Sequence, residues 1–330
     1  MTMVSTPSPA PVAWYLAPPQ ESAGTSQHGI AGAPAHHGEL LQGVFAVDGE
    51  LRRALVSLAH PGAGTVATFR PQSSPGLSVT DASLTKVRRA AELTMDELRA
   101  LPTAPAGGVV EIVSNVPRGV GMGSSTADVV ATIRAVADYH GAELPPHTVA
   151  RLAVAAERAS DSIMFADQVV LFAHRAGRLL ETLGTALPPL IVLGCNTGAD
   201  GVDTLEHPPA EYDEREVATF GVLRAALRRA VATGDCRLLG RVATASARLN
   251  QRFLPKPQLE VLIELCLRHG GSGVQVAHSG TVAGLMFDAR SPDVQNAVHA
   301  STVELERLGL QVTTVLRTTT DAVRPAVRAR

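Results

Sequence analysis

Aromatic side chains are nearly missing from this 330-residue chain, in which Phe, Tyr and Trp together make up 3%. Its core has to be assembled from Ala, Val, Leu and Ile, which bury less area per side chain without preventing folding. Only three cysteines occur, Cys195, Cys236 and Cys266, far apart and set in apolar segments. That number and spacing match neither a disulfide framework nor a zinc site, so buried free thiols in a reducing compartment are expected. No apolar run is long enough to span a bilayer, and the N-terminus lacks the basic start and apolar stretch of a signal peptide. Excess charge of one sign is absent too: the formal net charge is −2, and arginines such as Arg228-Arg229 lie in helix-like sequence rather than a basic block. Nothing there pulls the chain toward nucleic acid or an anionic membrane. The expectation is a cytoplasmic protein whose partner is a small molecule, with no nucleic acid and no membrane. A homodimer stays open.

What is present is a globular balance, 45% hydrophobic and 18% charged, over a length that favours two domains. Residues 1–28, rich in Pro, Ser, Ala and Gln, show no sustained periodicity and read as a mobile leader containing one apolar stretch, Val12–Leu16. Alternation predicts short strands at Leu40–Val47, Leu51–Leu58 and Thr65–Phe69, the first two joined by Asp48-Gly49, a strong hairpin signal. Helical spacing covers Leu84–Leu101, and Val109–Val113 reads as a strand. A strongly amphipathic helix carrying Val129, Ile133, Val136 and Ala137 then runs until Gly141 stops it. Pro145-Pro146 opens another helix through Arg151–Ala159, and a second hairpin turns about Arg175-Ala176-Gly177.

Beyond Gly184 the strand Leu190–Gly194 precedes helices at Glu211–Thr233, Cys236–Arg252 and Pro257–His269. Strands at Val274–Ala277 and Val282–Phe287, a helix at Pro292–Leu308 and a strand at Leu310–Leu316 complete the order. This is an α+β pattern, divided near Gly184–Pro188 into residues 29–186 and 187–330. Asp200-Gly201-Val202-Asp203 marks a turn.

The most informative stretch is Pro117-Arg118-Gly119-Val120-Gly121-Met122-Gly123-Ser124-Ser125-Thr126-Ala127-Asp128, between a strand and a helix. Alternating glycines let the backbone take positive φ and bring N–H groups against an anion. The following helix points its positive end there, and Ser124, Ser125 and Thr126 add hydroxyls. A Walker-type P-loop would end in Gly-Lys-Ser/Thr, and no lysine is present; the glycine spacing is not the dinucleotide fingerprint either. The plainer alternative, a glycine turn with a Ser/Thr cap, would not need so many glycines and hydroxyls. Arg118 beside the loop is either solvated or in contact with phosphate.

This stretch resembles the second motif of the GHMP kinase superfamily, Pro-x3-Gly-Leu-Gly-Ser-Ser, with Met122 where leucine is usual. Two further segments fit the family's order. One is Ala33-Pro34-Ala35-His36-His37-Gly38-Glu39-Leu40-Leu41-Gln42-Gly43. The other runs from Gly273 to Gly284, with His278-Ser279-Gly280-Thr281 replacing the usual Gly-x-Gly centre. The resemblance extends from about Gly29 to Leu316. The segments Gly38–Gly43 and Ser124–Asp128 are most similar to the L-threonine kinase branch, although that branch more often has Cys than His before Gly38.

The resemblance implies a GHMP kinase two-domain fold, with a ribosomal-S5-like N-terminal domain and a ferredoxin-like C-terminal domain. It implies ATP and Mg²⁺ as cofactors. ATP would be held by Pro117, Gly119, Gly121, Met122, Gly123, Ser124, Ser125 and Thr126, and the metal by Ser125 and Glu157. Asp161 takes the place of the catalytic aspartate. His37, Gly38, Glu39 and Gln42, with Ser279, Gly280 and Thr281, would bind the substrate, an amino acid or amino alcohol. The implied reaction is phosphorylation of L-threonine, or otherwise of another small alcohol; a non-catalytic nucleotide-binding regulator is the alternative outside the enzymes.

The residues carry part of this on their own. Glu157 and Asp161 stand four apart, so a helix persisting that far would project both carboxylates from one face; an exposed acid pair at a helix end is the plain alternative. Magnesium takes hard oxygen ligands, and phosphoryl transfer needs an oriented acceptor hydroxyl. His36 and His37 are adjacent, and no Cys or acid cluster completes a metal site around them, so lining the acceptor pocket is the expected role. Glu39 faces either an ammonium group in the cleft or outward, since strand residues alternate. His278-Ser279-Gly280-Thr281 closes over phosphates or acceptor, or is a simple turn.

Overall fold

A computed structural model describes residues 28–99, 106–165, 167–198 and 210–318. The leader, His28 apart, and the turn at Asp200-Gly201-Val202-Asp203 lie outside these described residues. Two long strands replace the three short ones expected: β1, Gly29–Val47, and β2, Glu50–Gln72, paired antiparallel. They turn at Asp48 and Gly49, both at positive φ (52° and 79°), the mirror-type turn that suits strand twist. The strands read as fragments because β1 and β2 lose register at Pro34/Ala35 and again on both sides of Glu39. Each bulge inserts residues that break the alternation of faces.

One ten-stranded sheet runs through the molecule in the order β10-β7-β9-β8-β1-β2-β4-β3, and the hairpin β5–β6 hangs from β2. β3, Gly76–Val79, lies parallel to β4, Gly107–Ser114, and had no sequence signal. On the first half pack α1 (Thr85–Glu97), α2 (Ser124–Tyr139) and α3 (Pro146–Glu157). The expected amphipathic helix α2 is buried nearly all round, from Thr126 through Ile133 and, Arg134 apart, on to Ala137, because it lies between the sheet and its two flanking helices. Its small Ala and Val side chains permit that close packing, the answer to the shortage of aromatics.

β5 (Val169–Ala173), β6 (Arg178–Gly184) and β7 (Leu190–Asn196) follow, then α4 (Glu214–Thr233) and α5 (Cys236–Asn250). Asp213 and Glu216 form a reciprocal capping box on α4, and Gly234 ends it in the left-handed region. The remaining elements are α6 (Leu259–Arg268), β8 (Gly273–Val276), β9 (Val282–Asp288), α7 (Val294–Arg307) and β10 (Gln311–Arg317). The sheet crosses from one half to the other where Glu39 of β1 pairs with Val276 of β8. The three cysteines are free and buried, as expected. No helix among the described residues is long and apolar enough to cross a membrane.

Candidate active site

The glycine loop joins β4 to α2, and its three glycines take positive φ: 80° at Gly119, 86° at Gly121 and 70° at Gly123. Sterics exclude a side chain at the last two. A Cβ on Gly123 would stand 2.2 Å from the His36 ring, and one on Gly121 would stand 2.5 Å from the Gly280 backbone. The loop is therefore clamped between β1 and the β8–β9 turn, where Thr281 and Val282 both donate their backbone N–H to the Val120 carbonyl. A cavity of about 520 Å³ opens above it.

At the start of α2 the hydroxyls are bonded to acids. Ser125 Oγ donates to Glu157 Oε2 at 2.8 Å and accepts from Lys86 Nζ at 3.1 Å. Thr126 Oγ1 lies 2.9 Å from Glu157 Oε1 and 3.1 Å from Asp161 Oδ2, so its single hydrogen serves one carboxylate at a time. The helix does not persist to Asp161. α3 ends at Glu157 and Arg158 turns left-handed at φ 70°, so the two acids meet across Thr126 rather than along one helix face.

Asp161 in turn lies 2.9 Å from His36 Nε2, and His36 Nδ1 lies 3.6 Å from Glu39 Oε1, too far for a hydrogen bond. Burial disfavours the His36 cation, yet Asp161 and Glu39 together outweigh it and raise the imidazole to about 9. Burial alone would raise Asp161, but the His36 cation outweighs it and holds the carboxyl down at about 2. Burial pushes Glu157 up to about 7 against the pull of the Ser125 hydroxyl, and pushes Glu39 up to about 7 against the attraction of His36.

The expectation that no acid cluster surrounds the histidine pair is corrected: His36, Glu39 and Asp161 offer donor atoms all within 4.8 Å of one another. Gly38 explains why the sequence concealed this. Its φ of 67° makes a bulge that puts His36 and Glu39 on one face and sends His37 to the other.

Gly119, Gly121, Gly123, Ser124, Ser125 and Thr126 line the cavity, as do Glu157 and Asp161 and, opposite them, Ser279 and Gly280. Other expected site residues do not line it. Pro117 is exposed outside it, and Met122 packs in a small core with Val116 and Ala277. His37 points away, its Nδ1 bonded to the Gln275 amide at 2.6 Å and its ring against Gly194 and Gly284. Gly38 is packed against Gln275, and Glu39 is buried behind His36, neither carboxylate oxygen being hydrogen-bonded among the described residues. Gln42 sits one layer back and accepts from His278 Nδ1 at 2.5 Å, while Thr281 is buried beside the loop. Arg118, half-exposed, pairs with Asp128 at 3.0 Å.

Sequence reasoning expected both histidines at the pocket and gave the substrate role to His37, but it is His36 that lines the cavity; Lys86, Ser160, His174 and Arg175 were passed over. For His36 the one available signal was the glycine two residues on, a candidate bulge. Lys86 supplies, from α1, the cation that the glycine loop lacks.

Comparison with known proteins bears on this arrangement. Residues 85–173 match the family model for the GHMP kinases N terminal domain, and residues 223–304 match the GHMP kinases C terminal model; together the matches take in just over half of the chain. The L-threonine kinase of Salmonella typhimurium is 34% identical over 188 residues, 56% of this chain and 61% of that protein. The L-threonine kinase of Citrobacter freundii is 33% identical over 188 residues, 56% of this chain and 64% of its own. The matched stretch thus spans less than two thirds of either relative. In three dimensions a homoserine kinase from Cytophaga hutchinsonii superposes over 92% of this chain and 98% of its own, with a TM-score of 0.68 at 14% identity, a likeness of fold. The glycine cradle, the acids that meet behind it and the matches to both halves lead to one conclusion: the chain belongs to the GHMP kinase family, with that family's α+β two-domain fold.

Proposed function

We propose that the protein is an ATP- and Mg²⁺-dependent kinase that phosphorylates the hydroxyl of a small amino acid, L-threonine foremost, giving O-phospho-L-threonine. One observation carries the reading: the unbroken chain Lys86–Ser125–Glu157–Thr126–Asp161–His36 at the N-terminus of α2, beneath three left-handed glycines. Backbone N–H groups and the helix dipole there suit a polyphosphate, and Lys86 adds positive charge. Relatives named L-threonine kinase support the choice of acceptor.

Ser125 and Glu157 would hold the magnesium. A buried carboxylate beside a hydroxyl is a hard-oxygen donor set, and a cation would relieve the burial that now raises Glu157. Bound there, the ion would neutralise phosphate charge during transfer. Asp161 works by position. A carboxylate kept ionised by His36 is a weak base, so it accepts a hydrogen bond from the acceptor hydroxyl and orients it. It takes the proton only as the forming O–P bond makes that proton acidic. The ammonium contact expected of Glu39 is not supported, because His36 stands between that carboxylate and the cavity.

The test is coupled ADP release with ATP, Mg²⁺ and, in turn, L-threonine, L-serine, L-homoserine and 1-amino-2-propanol. Threonine should turn over best, with serine poorer but detectable, since a missing methyl in an apolar pocket costs only about 1–3 kcal/mol. ADP at background with all four, from protein that binds ATP, would favour the regulator reading instead.

A further inference from the structure

Glu39 is the least explained residue of the site. It is 2% exposed, and neither carboxylate oxygen has a hydrogen-bond partner among the described residues. Ser57 faces it across the β1–β2 register, close enough for its hydroxyl to favour the carboxylate, yet that hydroxyl completes no hydrogen bond there either. His36 Nδ1, 3.6 Å from Glu39 Oε1, is a fourth buried atom without a hydrogen bond. Buried polar atoms are nearly always satisfied, and four left over around one point are the mark of an ion or water that completes them. Two carboxylates and an imidazole favour the cation.

The donors converge. One atom each from His36, Glu39 and Asp161 lies within 4.8 Å of the other two. An ion with bonds of about 2.0–2.2 Å sets its ligands roughly 3–4 Å apart, so the three have to draw in by roughly an ångström. Asp161 has that freedom, because it lies beyond the end of α3, after the left-handed turn at Arg158, with its side chain 22% exposed on the cavity wall. His36 and Glu39 are set by the bulge at Gly38 and form the fixed side. An ion reaches them through the cavity, which His36 and Asp161 both line. The donor set also selects the metal. One imidazole with two carboxylates suits zinc and its neighbours in the first transition row, whereas Mg²⁺ prefers oxygen ligands alone, as at Ser125 and Glu157.

We propose that His36, Glu39 and Asp161 form a second cation site, for a divalent transition ion such as Zn²⁺, separate from the magnesium pair Ser125 and Glu157. The ion takes the place of the proton between His36 Nε2 and Asp161 Oδ2, and water from the cavity completes its coordination. It thereby occupies the carboxylate that orients the acceptor hydroxyl. On the kinase reading above, on which this consequence alone rests, bound Zn²⁺ inhibits by competing with the acceptor and not with ATP.

Calorimetry on the full chain, with excess Mg²⁺ and a non-hydrolysable ATP analogue, tests the site without turnover. Zn²⁺ should bind tightly at one ion per chain. Glu39→Gln keeps the shape and removes a donor charge, so it should weaken the ion by on the order of a hundredfold, the upper end of what losing a ligand's outer partner costs. His36→Gln should do the same and decides the matter where Glu39→Gln does not fold. Glu157→Gln should leave Zn²⁺ binding unchanged. Co²⁺ in place of Zn²⁺ gives a second readout: visible absorption from a nitrogen–oxygen site, lost in Glu39→Gln, without the thiolate charge-transfer band that binding at the cysteines would bring. No tight Zn²⁺ in the wild type, equal binding by Glu39→Gln, or loss in Glu157→Gln alone overturns the site. ADP release reports separately. Zn²⁺ bound as expected by protein that turns over no acceptor would sink the kinase reading alone, and Zn²⁺ that inhibits against ATP rather than the acceptor would sink the competition.

Discussion

The loop end of the cavity and the β5–β6 turn beside it are bonded differently. Around the glycine loop the side chains form one connected chain: Lys86 to Ser125, Ser125 and Thr126 to Glu157, Asp161 to His36. At the turn, the His174 ring meets the His278 ring edge to face, and its buried Nδ1 has no hydrogen-bond partner among the described residues. The first end is preorganised, its geometry set before anything binds, as electrostatic catalysis requires. The second is held by packing and leaves a buried ring nitrogen unbonded.

Breaking the preorganised end should have the largest consequence. Gly123→Val places a side chain into the His36 ring at a left-handed position, which tilts both the loop and the Asp161 pair. ATP affinity by calorimetry should fall on the order of a hundredfold or more while circular dichroism stays native, since the N–H cradle is lost rather than the core. Near-normal affinity in a folded variant would move the nucleotide elsewhere.

Asp161→Asn should come next, lowering kcat by on the order of a hundredfold through loss of a charge at the reaction centre. ATP affinity should change little, because the role of Asp161 is in the transition state. A rise in acceptor KM with kcat unchanged would show that Asp161 binds the acceptor instead.

The smallest effect is on stability against pH. His36 is raised from 6.5 to about 9, so its contribution is whole below pH 6.5 and drains away as the pH climbs to about 9. Asp161 is depressed from 3.8 to about 2, so it remains ionised throughout that window. Between about pH 7 and 9.5 the wild-type Tm should therefore fall a few °C further than that of His36→Gln. Groups remote from His36, Lys256 among them, titrate in both proteins and cancel in the difference, and Glu39, which His36 holds down, is changed to Gln in both so that it adds nothing. Parallel curves for the two would mean the His36–Asp161 pair does not hold its proton.

Much of the preorganised end was legible in the chain, because its signals are local. Three glycines at alternate positions, the hydroxyls after them and a helix with a glycine stop are read without knowing what packs nearby, and Asp48-Gly49 fixes its hairpin the same way. The rest of the lining was legible in part. His278-Ser279-Gly280 was singled out as a segment closing over the site, whereas Lys86, His174 and Arg175 come from distant stretches that only the folded chain gathers. Between these cases stand His36 and His37. Alternation says that one faces the cavity, but the bulge at Gly38 decides which, and a bulge is a property of the paired strand. Glu157 and Asp161 were rightly joined for the wrong reason, because a left-handed arginine ends the helix that was to align them.

The contact of Gly121 with Gly280 carries a thermodynamic consequence. Each would drive a Cβ into the other's backbone, so the glycine loop in the first half is braced by a turn from the second. A chain with only its first half folded lacks that brace and has little to offer a polyphosphate. A nucleotide that binds only the fully docked chain stabilises both halves by the same mass-action term. It thereby ties their unfolding into one event, and denaturation curves that separate the halves without nucleotide should merge as nucleotide is added.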